Sequence, residues 1–254
     1  PEVPQDTEAA AFFDVDNTLI QGSSLILLAQ GLFKKRFITL SELAPALRKQ
    51  IRYRVSGSEN ADDIAEGREQ ALAIVKGKSV EELKQACREI VDNRMLQKSY
   101  ADTIELASMH LAAGQQVWLV SATPVQIGQA LAETLGFTGA LGTVAEEEDG
   151  KFTGRLVGDI LHGPGKKHAV AALAALQQLD LSKCTAYSDS VNDLPMLNMV
   201  GSPVAVNPDR ALRKHAKAQG WAVRDYRSVR RVMRAGVVPA VLAAAGLWWW
   251  RRRR

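Results

Sequence analysis

Two aspartates, Asp14 and Asp16, stand two residues apart directly after the apolar run Ala11–Phe13. Residues i and i+2 of an extended chain share one face, so both carboxylates should project in the same direction if the strand persists. Where the strand gives way to a loop, one carboxylate can attack a substrate while the other transfers protons. Two like charges so close need a cation, and ligation by oxygen alone suits Mg2+ better than zinc or copper. A strand end followed by an ordinary turn over residues 16–18 also explains the pattern, so other segments must support it.

Two further segments offer groups that bind phosphate. Ser121 and Ala122 follow the apolar run Val117–Val120, where a hydroxyl and the next backbone N–H groups can hold an anion at a helix start. Taken alone, this serine fits an ordinary helix N-cap equally well. Lys166 and Lys167 follow a Gly-Pro-Gly loop at the start of a helical pattern, and a lysine there supplies a point charge for phosphate. Adjacent lysines at such a position are more often solvated surface residues.

A fourth segment, Tyr187–Leu197, is an apolar strand followed by Asp189, Asn192 and Asp193. Asp189 can reach the cation, while Asn192 and Asp193 can brace the loop and the lysine. A loop that caps the next helix is the plain alternative. Each plain alternative is reasonable by itself, but all four segments in this order on successive strand ends are hard to reach by chance. Together they predict a site for phosphoryl transfer.

The elements that must position these groups form an α/β pattern, in which short apolar runs alternate with longer helical stretches. Such alternation predicts a parallel sheet covered by helices. A polar residue directly follows each run, and ligands in open α/β sheets bind at that carboxyl edge. The four runs are Ala11–Phe13, Val117–Val120, Cys184–Tyr187 and Val204–Val206.

The stretch between the first two runs has no comparable strand signal and predicts an inserted, all-helical cap. Ser79 with Glu82 three residues later is typical of a capping box, which supports a helix that begins there. Amphipathic helices are predicted at residues 23–33, 40–55, 60–75 and 80–96. A small hairpin is predicted within residues 142–160. The predicted division is a catalytic core at 1–22 and 100–234, a cap at 23–99 and an apolar, arginine-rich tail at 235–254.

Composition and charge disfavour several classes of protein. With 254 residues and 46% hydrophobic content, the chain can bury a sizeable core. Residues 224–254 carry nine arginines and one aspartate, a net of +8; subtracting this from the total of +4 leaves −4 for residues 1–223. A nucleic-acid enzyme is therefore disfavoured.

Cys87 and Cys184 are too far apart in the sequence to suggest a disulfide framework or a thiolate metal site. Residues 1–10 lack the layout of a secretion signal, so a cytoplasmic location is expected.

With these four segments the chain resembles the haloacid dehalogenase (HAD) superfamily of phosphatases, in particular the branch around phosphoserine phosphatase with its helical cap. The resemblance implies a Rossmann-like core and Mg2+-dependent hydrolysis of phosphomonoesters through an aspartyl-phosphate. It implies that Asp14 is the nucleophile and Asp16 the general acid and base. Lys166 is preferred over Lys167 because Val170 then falls on the family's usual apolar position. The implied phosphate contacts are Thr18, Ser121, Ala122, Lys166 and Asn192; the implied metal ligands are Asp14, Asp16 through its carbonyl, and Asp189, with Asp193 in support.

The resemblance indicates the type of reaction but leaves several substrates open. Members of the family that transfer phosphate to water or to sugars keep the second aspartate, so Asp16 favours a phosphatase or phosphomutase. Phosphoserine phosphatases place a glutamate shortly after the first motif to bind the substrate ammonium, and Gln21–Ser24 contains no acid. Arg48, Arg52 and Arg54 on one predicted helix suit a carboxylate or a second phosphate, or simply face solvent. Phosphoserine, another amino-alcohol phosphate, a sugar phosphate and a lipid phosphate all remain open as the small phosphorylated metabolite.

The tail motivates a different hypothesis, a membrane-associated interaction protein built on a phosphatase scaffold. Ala235–Trp250 is an uncharged 16-residue segment with arginine-rich flanks and three tryptophans at its end, features that favour a bilayer surface. Spanning takes ~20 apolar residues, and Pro239 and Gly246 weaken a continuous helix. Peripheral contact is therefore favoured over spanning, and a helix packed on the core or a disordered end are the other interpretations. An enzyme tethered near lipid would combine both hypotheses.

Overall fold

A six-stranded parallel sheet forms the centre of the computed structural model, which describes residues 6–39, 41–42 and 69–227. Its strand order is β3-β2-β1-β6-β7-β8, and every neighbouring pair runs parallel. These strands are β1 (Ala10–Asp14), β2 (Gln116–Pro124), β3 (Gly139–Thr143), β6 (Thr185–Ser188), β7 (Ser202–Val206) and β8 (Ala222–Arg224). Taken in chain order this is the Rossmann arrangement 3-2-1-4-5-6, which confirms the predicted Rossmann-like core.

The central strand β1 is buried along its whole length, because helices cover both faces of the sheet. Its residues alternate between two hydrophobic cores. Phe13 packs in a core with helices that follow β1 and β2, whereas Phe12 packs in a core with Val170 and Leu212 on the opposite face. A continuous apolar run is what a strand buried on both faces requires, which explains why the sequence pattern identified β1.

Seven α-helices lie wholly within the described residues: α1 (Ser24–Lys34), α2 (Val80–Ile90), α3 (Ala101–Ala112), α4 (Val125–Leu135), α5 (Pro164–Gln177), α6 (Leu194–Leu197) and α7 (Arg210–Ala218). Residues 69–75 are also helical. After α2 the chain continues as a π-helical turn, Val91–Met95, and a short 3-10 turn, Leu96–Lys98.

The described part of the predicted cap agrees with the expected helices. The helix predicted at 23–33 is α1, and the helix predicted from residue 80 begins at α2 with Ser79 as its N-cap, whose hydroxyl accepts a hydrogen bond from Glu82 N at 3.3 Å. That α-helix ends at Ile90 rather than at residue 96. The helix predicted at 40–55, most of that at 60–75 and the arginines at 48, 52 and 54 lie outside the described residues. The division into core, cap and tail stays a prediction.

The predicted hairpin is confirmed as β4 (Ala145–Glu148) and β5 (Lys151–Leu156), an antiparallel pair. Its turn, Asp149-Gly150, has positive φ at both residues, as a two-residue hairpin loop of type I′ requires. The hairpin hydrogen-bonds to the segment that leads into α2, since Val80 N donates to Gly150 O at 3.0 Å and Phe152 N to Lys78 O at 3.1 Å. Phe152 is buried in the same core as Phe13.

Within the ranges given above, no helix has the length and hydropathy needed to cross a bilayer. The tail at 235–254 lies beyond those ranges, so its membrane contact stays a prediction. Cys87 and Cys184 are both free and buried.

Candidate active site

Three of the four predicted motifs lie toward the carboxyl ends of the neighbouring strands β1, β2 and β6. Asp14 is the last residue of β1, and in the sheet it pairs with Val120 of β2, directly before Ser121. Phe13 pairs with Tyr187 of β6, directly before Ser188 and Asp189. The strand order reverses direction at β1, and in open α/β sheets a ligand crevice forms at the carboxyl ends beside such a switch point. The sheet therefore brings three of the four motifs to one edge.

Lys166 brings the remaining motif, the Gly-Pro-Gly-Lys segment, to the same place. It lies in the first turn of α5 and is only 4% exposed, and its Nζ donates to Asp14 Oδ1 at 2.5 Å and to Asp193 Oδ2 at 2.7 Å. Ser188 Oγ donates to the same Asp193 oxygen at 2.7 Å. Its neighbour Lys167 is exposed. The structure thus places Lys166 rather than Lys167 in the site, and gives Asp193 the bracing contact expected of it.

Burial and charge act against each other on Lys166. Burial alone would lower the pKa of the ammonium group, but Asp14 and Asp193 raise that pKa above its ordinary value. Lys166 is therefore a permanent cation at physiological pH. A fixed positive charge beside the carboxylate of Asp14 can lower the electrostatic barrier to an approaching anionic group.

The carboxylates outnumber this cation, and their pKa values reflect it. Burial raises the pKa of Asp14 to about 8; Lys166 opposes the shift, and Asp193 and Asp189 add to it. Burial also raises the pKa of Asp189 to about 6, against a hydrogen bond from the Asn17 side chain and with a further contribution from Asp193. Carboxylates so crowded hold their negative charge only at a free-energy cost, so the site favours a further cation.

The available donor atoms suit Mg2+. In the ranges that the structure covers, no three His, Cys, Asp or Glu side chains are arranged to hold a metal ion. Mg2+ does not need such a cage, because proteins usually hold it through one or two carboxylates together with water and substrate phosphate oxygens. Asp14 and Asp189 interact electrostatically with each other across the site. Two carboxylates with excess negative charge fit this requirement.

Asp16 is held by the start of α1. Ser24 N donates to Asp16 Oδ1 at 2.9 Å, and Ser24 Oγ donates to the same oxygen. The intervening loop turns sharply at Asn17, whose φ is +55° and whose N–H donates to Ile20 O at 2.7 Å. Asn tolerates this left-handed conformation better than most residues. The loop therefore directs the chain from β1 into α1 while Asp16 stays fixed.

Asn207 follows the fourth apolar run, and its contact with the first motif was not predicted from the sequence. It is fully buried at the end of β7; its Nδ2 donates to Asn17 O at 2.8 Å and its Oδ1 accepts from Tyr226 N at 2.8 Å. It therefore clamps the loop of the first motif from a distant part of the chain. The available signal was an Asn-Pro pair after an apolar run, which does not distinguish a clamp from an ordinary loop residue.

The remaining predicted phosphate contacts differ in how the structure places them. Ser121 is buried, with its Oγ 2.8 Å from Thr123 Oγ1. Thr18 is fully buried, and its Oγ1 has no hydrogen-bond partner among the described residues. Ala122 and Asn192 are both exposed. The strand β2 continues past Ser121 to Pro124 with an irregular register, so Ser121 lies within the strand rather than after it.

Comparison with known proteins agrees with this geometry. The family model for haloacid dehalogenase-like hydrolases matches residues 11–198. The chain is 52% identical over 244 residues to phosphoserine phosphatase SerB1 of Mycobacterium tuberculosis, covering 96% of this chain and 79% of that protein. A protein of unknown function from Bordetella pertussis has a crystal structure with a TM-score of 0.75 and 30% identity, covering 87% and 99% of the two chains. A substrate-bound phosphoserine phosphatase shares the fold, with a TM-score of 0.60 at 19% identity over 91% of this chain and 99% of that one.

Proposed function

This chain belongs to the haloacid dehalogenase-like hydrolases, and we propose that it hydrolyses a small phosphomonoester through an aspartyl-phosphate formed on Asp14. It is a phosphoric monoester hydrolase of the phosphoserine phosphatase-like kind. The observation that carries the proposal is the buried contact of Lys166 with Asp14 at the end of the central strand. A buried carboxylate beside a permanent cation at a ligand-binding edge is suited to attack a phosphate ester.

The reaction that these residues support has two steps. The Asp14 carboxylate attacks phosphorus, the bond between phosphorus and the alcohol oxygen breaks, and Asp16 gives a proton to the departing oxygen. Asp16 then takes a proton from a water molecule, which attacks the phosphorus of the aspartyl-phosphate and releases inorganic phosphate. Proton transfer by a positioned carboxyl group typically contributes ~10²–10⁴-fold. Lys166 neutralises charge that would otherwise repel the substrate from Asp14.

Phosphatases of this family generally use Mg2+, and the crowded carboxylates of this chain fit that ion. The residues proposed to hold it are Asp14, Asp189 and the backbone carbonyl of Asp16. When bound, Mg2+ neutralises phosphate charge and helps to orient the ester. Thr18, Ser121, Ala122 and Asn192 are proposed phosphate contacts, of which Thr18 and Ser121 have the buried hydroxyl groups that suit this role.

Removal of the metal gives the first test. We expect EDTA to abolish hydrolysis of p-nitrophenyl phosphate and added Mg2+ to restore it. Asp189→Asn should raise the Mg2+ concentration needed for half-maximal activity by about 10²-fold or more. Loss of a residue that only hydrogen-bonds to a metal ligand typically costs 10–100-fold in metal affinity, and loss of a ligand itself should cost at least as much. Activity measured against Mg2+ concentration checks both expectations.

Asp92→Asn is the matched control, because Asp92 is an exposed aspartate in the turn after α2. Its Mg2+ requirement should equal that of the unmodified chain. Full activity in EDTA would contradict the metal dependence, whereas an unchanged requirement in Asp189→Asn would remove Asp189 from the proposed ligands.

The substrate class is proposed only as far as a small phosphomonoester. Gln21–Ser24 offers no acid for a substrate ammonium, and the serines there have other contacts: Ser23 caps α1 and Ser24 is bonded to Asp16. A panel of amino-alcohol, sugar and lipid phosphates assayed with Mg2+ identifies the preferred leaving group. If the chain releases phosphate from none of these esters, and not from p-nitrophenyl phosphate either, the proposed function is contradicted.

Peripheral membrane contact through residues 235–254 remains a separate proposal, supported by the tryptophans and arginines of that segment. We expect the full chain to float with anionic liposomes and a chain ending at Arg234 to stay in the soluble fraction. Raised salt should weaken flotation, because arginine attraction to anionic lipid is screened. Equal partitioning of the two forms would contradict the proposal.

A further inference from the structure

Ser24 makes two hydrogen bonds to Asp16, the proposed proton donor. It is the first residue of α1 and is only 1% exposed. Its backbone N–H donates to Asp16 Oδ1 at 2.9 Å, and its hydroxyl donates to that same oxygen. Both donors therefore come from one residue and reach one carboxylate oxygen.

This arrangement distinguishes the two oxygens of Asp16. Oδ1 accepts two hydrogen bonds from Ser24, and among the described residues no donor reaches Oδ2, which is therefore the oxygen available to give or take a proton. A carboxyl group attached through rotatable bonds loses effectiveness when its orientation varies, and small misplacements of a catalytic group can cost about 10²-fold. Two donors on one oxygen restrict that rotation.

The helix that carries Ser24 is packed into a hydrophobic core. Leu27, Leu28 and Leu32 on the same helix are buried in the core that also contains Phe13 of β1. The helix cannot shift its first turn without disturbing that packing. Ser24 therefore ties Asp16 to a fixed element of the fold rather than to a free loop.

The adjacent Ser23 has a different role. Its side chain accepts a hydrogen bond from Ile26 N, which makes it the N-cap of α1. Loss of such a cap costs helix stability, typically ~1 kcal/mol, without touching Asp16. Ser23 therefore affects the stability of the helix start, whereas Ser24 affects the position of the Asp16 carboxylate.

We propose that Ser24 is a positioning residue for the proton transfer of Asp16, with its hydroxyl holding Oδ1 so that Oδ2 faces the leaving oxygen. This inference rests on the proposed function, because it assumes that Asp16 protonates the leaving group. It adds a residue outside the four motifs to the reaction.

Substrates with different leaving groups test the proposal. p-Nitrophenolate leaves as a stable anion and needs little protonation, whereas the alkoxide of β-glycerophosphate needs a proton. Ser24→Ala should lower kcat/KM for β-glycerophosphate by about 10–10²-fold and that for p-nitrophenyl phosphate by less than about threefold. The parameter kcat/KM reports steps up to departure of the alcohol, so slower hydrolysis of the aspartyl-phosphate does not obscure the comparison. Ser24→Cys, which keeps the size of the side chain but donates weakly, should show the same selective loss if the alanine variant folds poorly.

The controls separate this inference from its premise. Ser23→Ala should leave the ratio of the two kcat/KM values unchanged. Asp16→Asn should lower kcat/KM for β-glycerophosphate more than kcat/KM for p-nitrophenyl phosphate, and by at least as large a factor as Ser24→Ala does. Ser24→Ala added to Asp16→Asn should not change the ratio of the two kcat/KM values further. The positioning role would be overturned, while the proposed function stands, by either of two results in the Ser24 variants. One is an equal loss of kcat/KM on both substrates. The other is a kcat/KM for β-glycerophosphate, divided by that for p-nitrophenyl phosphate, that does not fall below the value of the unmodified chain. If the unmodified chain hydrolyses neither ester, or Asp16→Asn is not selective, the premise itself fails and the inference with it.

Discussion

Replacing Asp14 by asparagine should abolish turnover of every phosphomonoester that the chain hydrolyses, whatever its leaving group. Asparagine fills nearly the same volume but carries no charge and cannot form the aspartyl-phosphate. Removal of the nucleophile in an enzyme of covalent mechanism has cost on the order of 10⁶-fold in kcat, and a loss of that order is expected here. Release of p-nitrophenolate and of inorganic phosphate, measured with Mg2+ present, checks the result.

A loss of activity has meaning only if the variant folds. Asparagine keeps a side-chain oxygen that can accept a hydrogen bond from Lys166, and Lys166 keeps its contact with Asp193, so Asp14→Asn should remain folded; its melting temperature checks this. Acid-quenched samples of the unmodified chain should retain phosphate bound covalently during turnover, and those of Asp14→Asn should retain none. Turnover in the variant equal to that of the unmodified chain would show that another residue is the nucleophile.

The same carboxylate shows why the central part of the fold was predictable from sequence. β1 is an unbroken apolar run because both of its faces are covered, and its polar end marks the edge where ligands bind. Those two features are local, so the sequence displays them directly. The hairpin was equally local, since its Asp149-Gly150 turn stands between two short extended segments.

The edge strands lack such local features. β3 contains two glycines. β8 has only three residues, and none of these three is buried. Gly139 of β3 is required by a neighbour in space: the ring of Trp118 lies 2.5 Å from where a β-carbon on that glycine would stand. A contact between residues so far apart in the sequence leaves no periodic pattern, and both strands escaped prediction.

The site residues also fall into those that local sequence features identify and those that only contacts in space identify. Asp14, Asp16, Asp189 and Lys166 are identified by residue type and by position at strand or helix ends. Ser24 and Asn207 act through the loop that follows β1, and their types are common in any loop or helix start. Only the three-dimensional arrangement shows that these two residues hold the first motif in place. Sequence patterns therefore revealed the groups proposed to react and Asp193, which braces Lys166, but not the two residues that hold the loop of the first motif.

Lys166→Met offers the largest expected effect on stability. The substitution keeps the length of the side chain but removes the charge that lies between Asp14 and Asp193, at 2.5 and 2.7 Å. Removing one partner of a buried ion pair typically costs 3–5 kcal/mol, because the remaining charge is left uncompensated. We expect a decrease of about 3–5 kcal/mol in the free energy of unfolding, measured with denaturant in EDTA. Activity should fall by at least about 10²–10³-fold, as when a donor that stabilises a developing charge is lost.

Two further variants show whether the cost arises from the uncompensated carboxylates. Lys167→Met is the matched control: the same substitution at the adjacent, exposed lysine should change the free energy of unfolding by less than about 0.5 kcal/mol. Adding Asp193→Asn to Lys166→Met removes one of the two unpaired carboxylates and should recover part of the lost stability, although activity stays low. Because Ser188 also donates to Asp193, the asparagine can keep that contact through its carbonyl oxygen. If the double variant is less stable than Lys166→Met alone, the lysine stabilises the fold by packing rather than by charge, and the electrostatic account of this site is wrong.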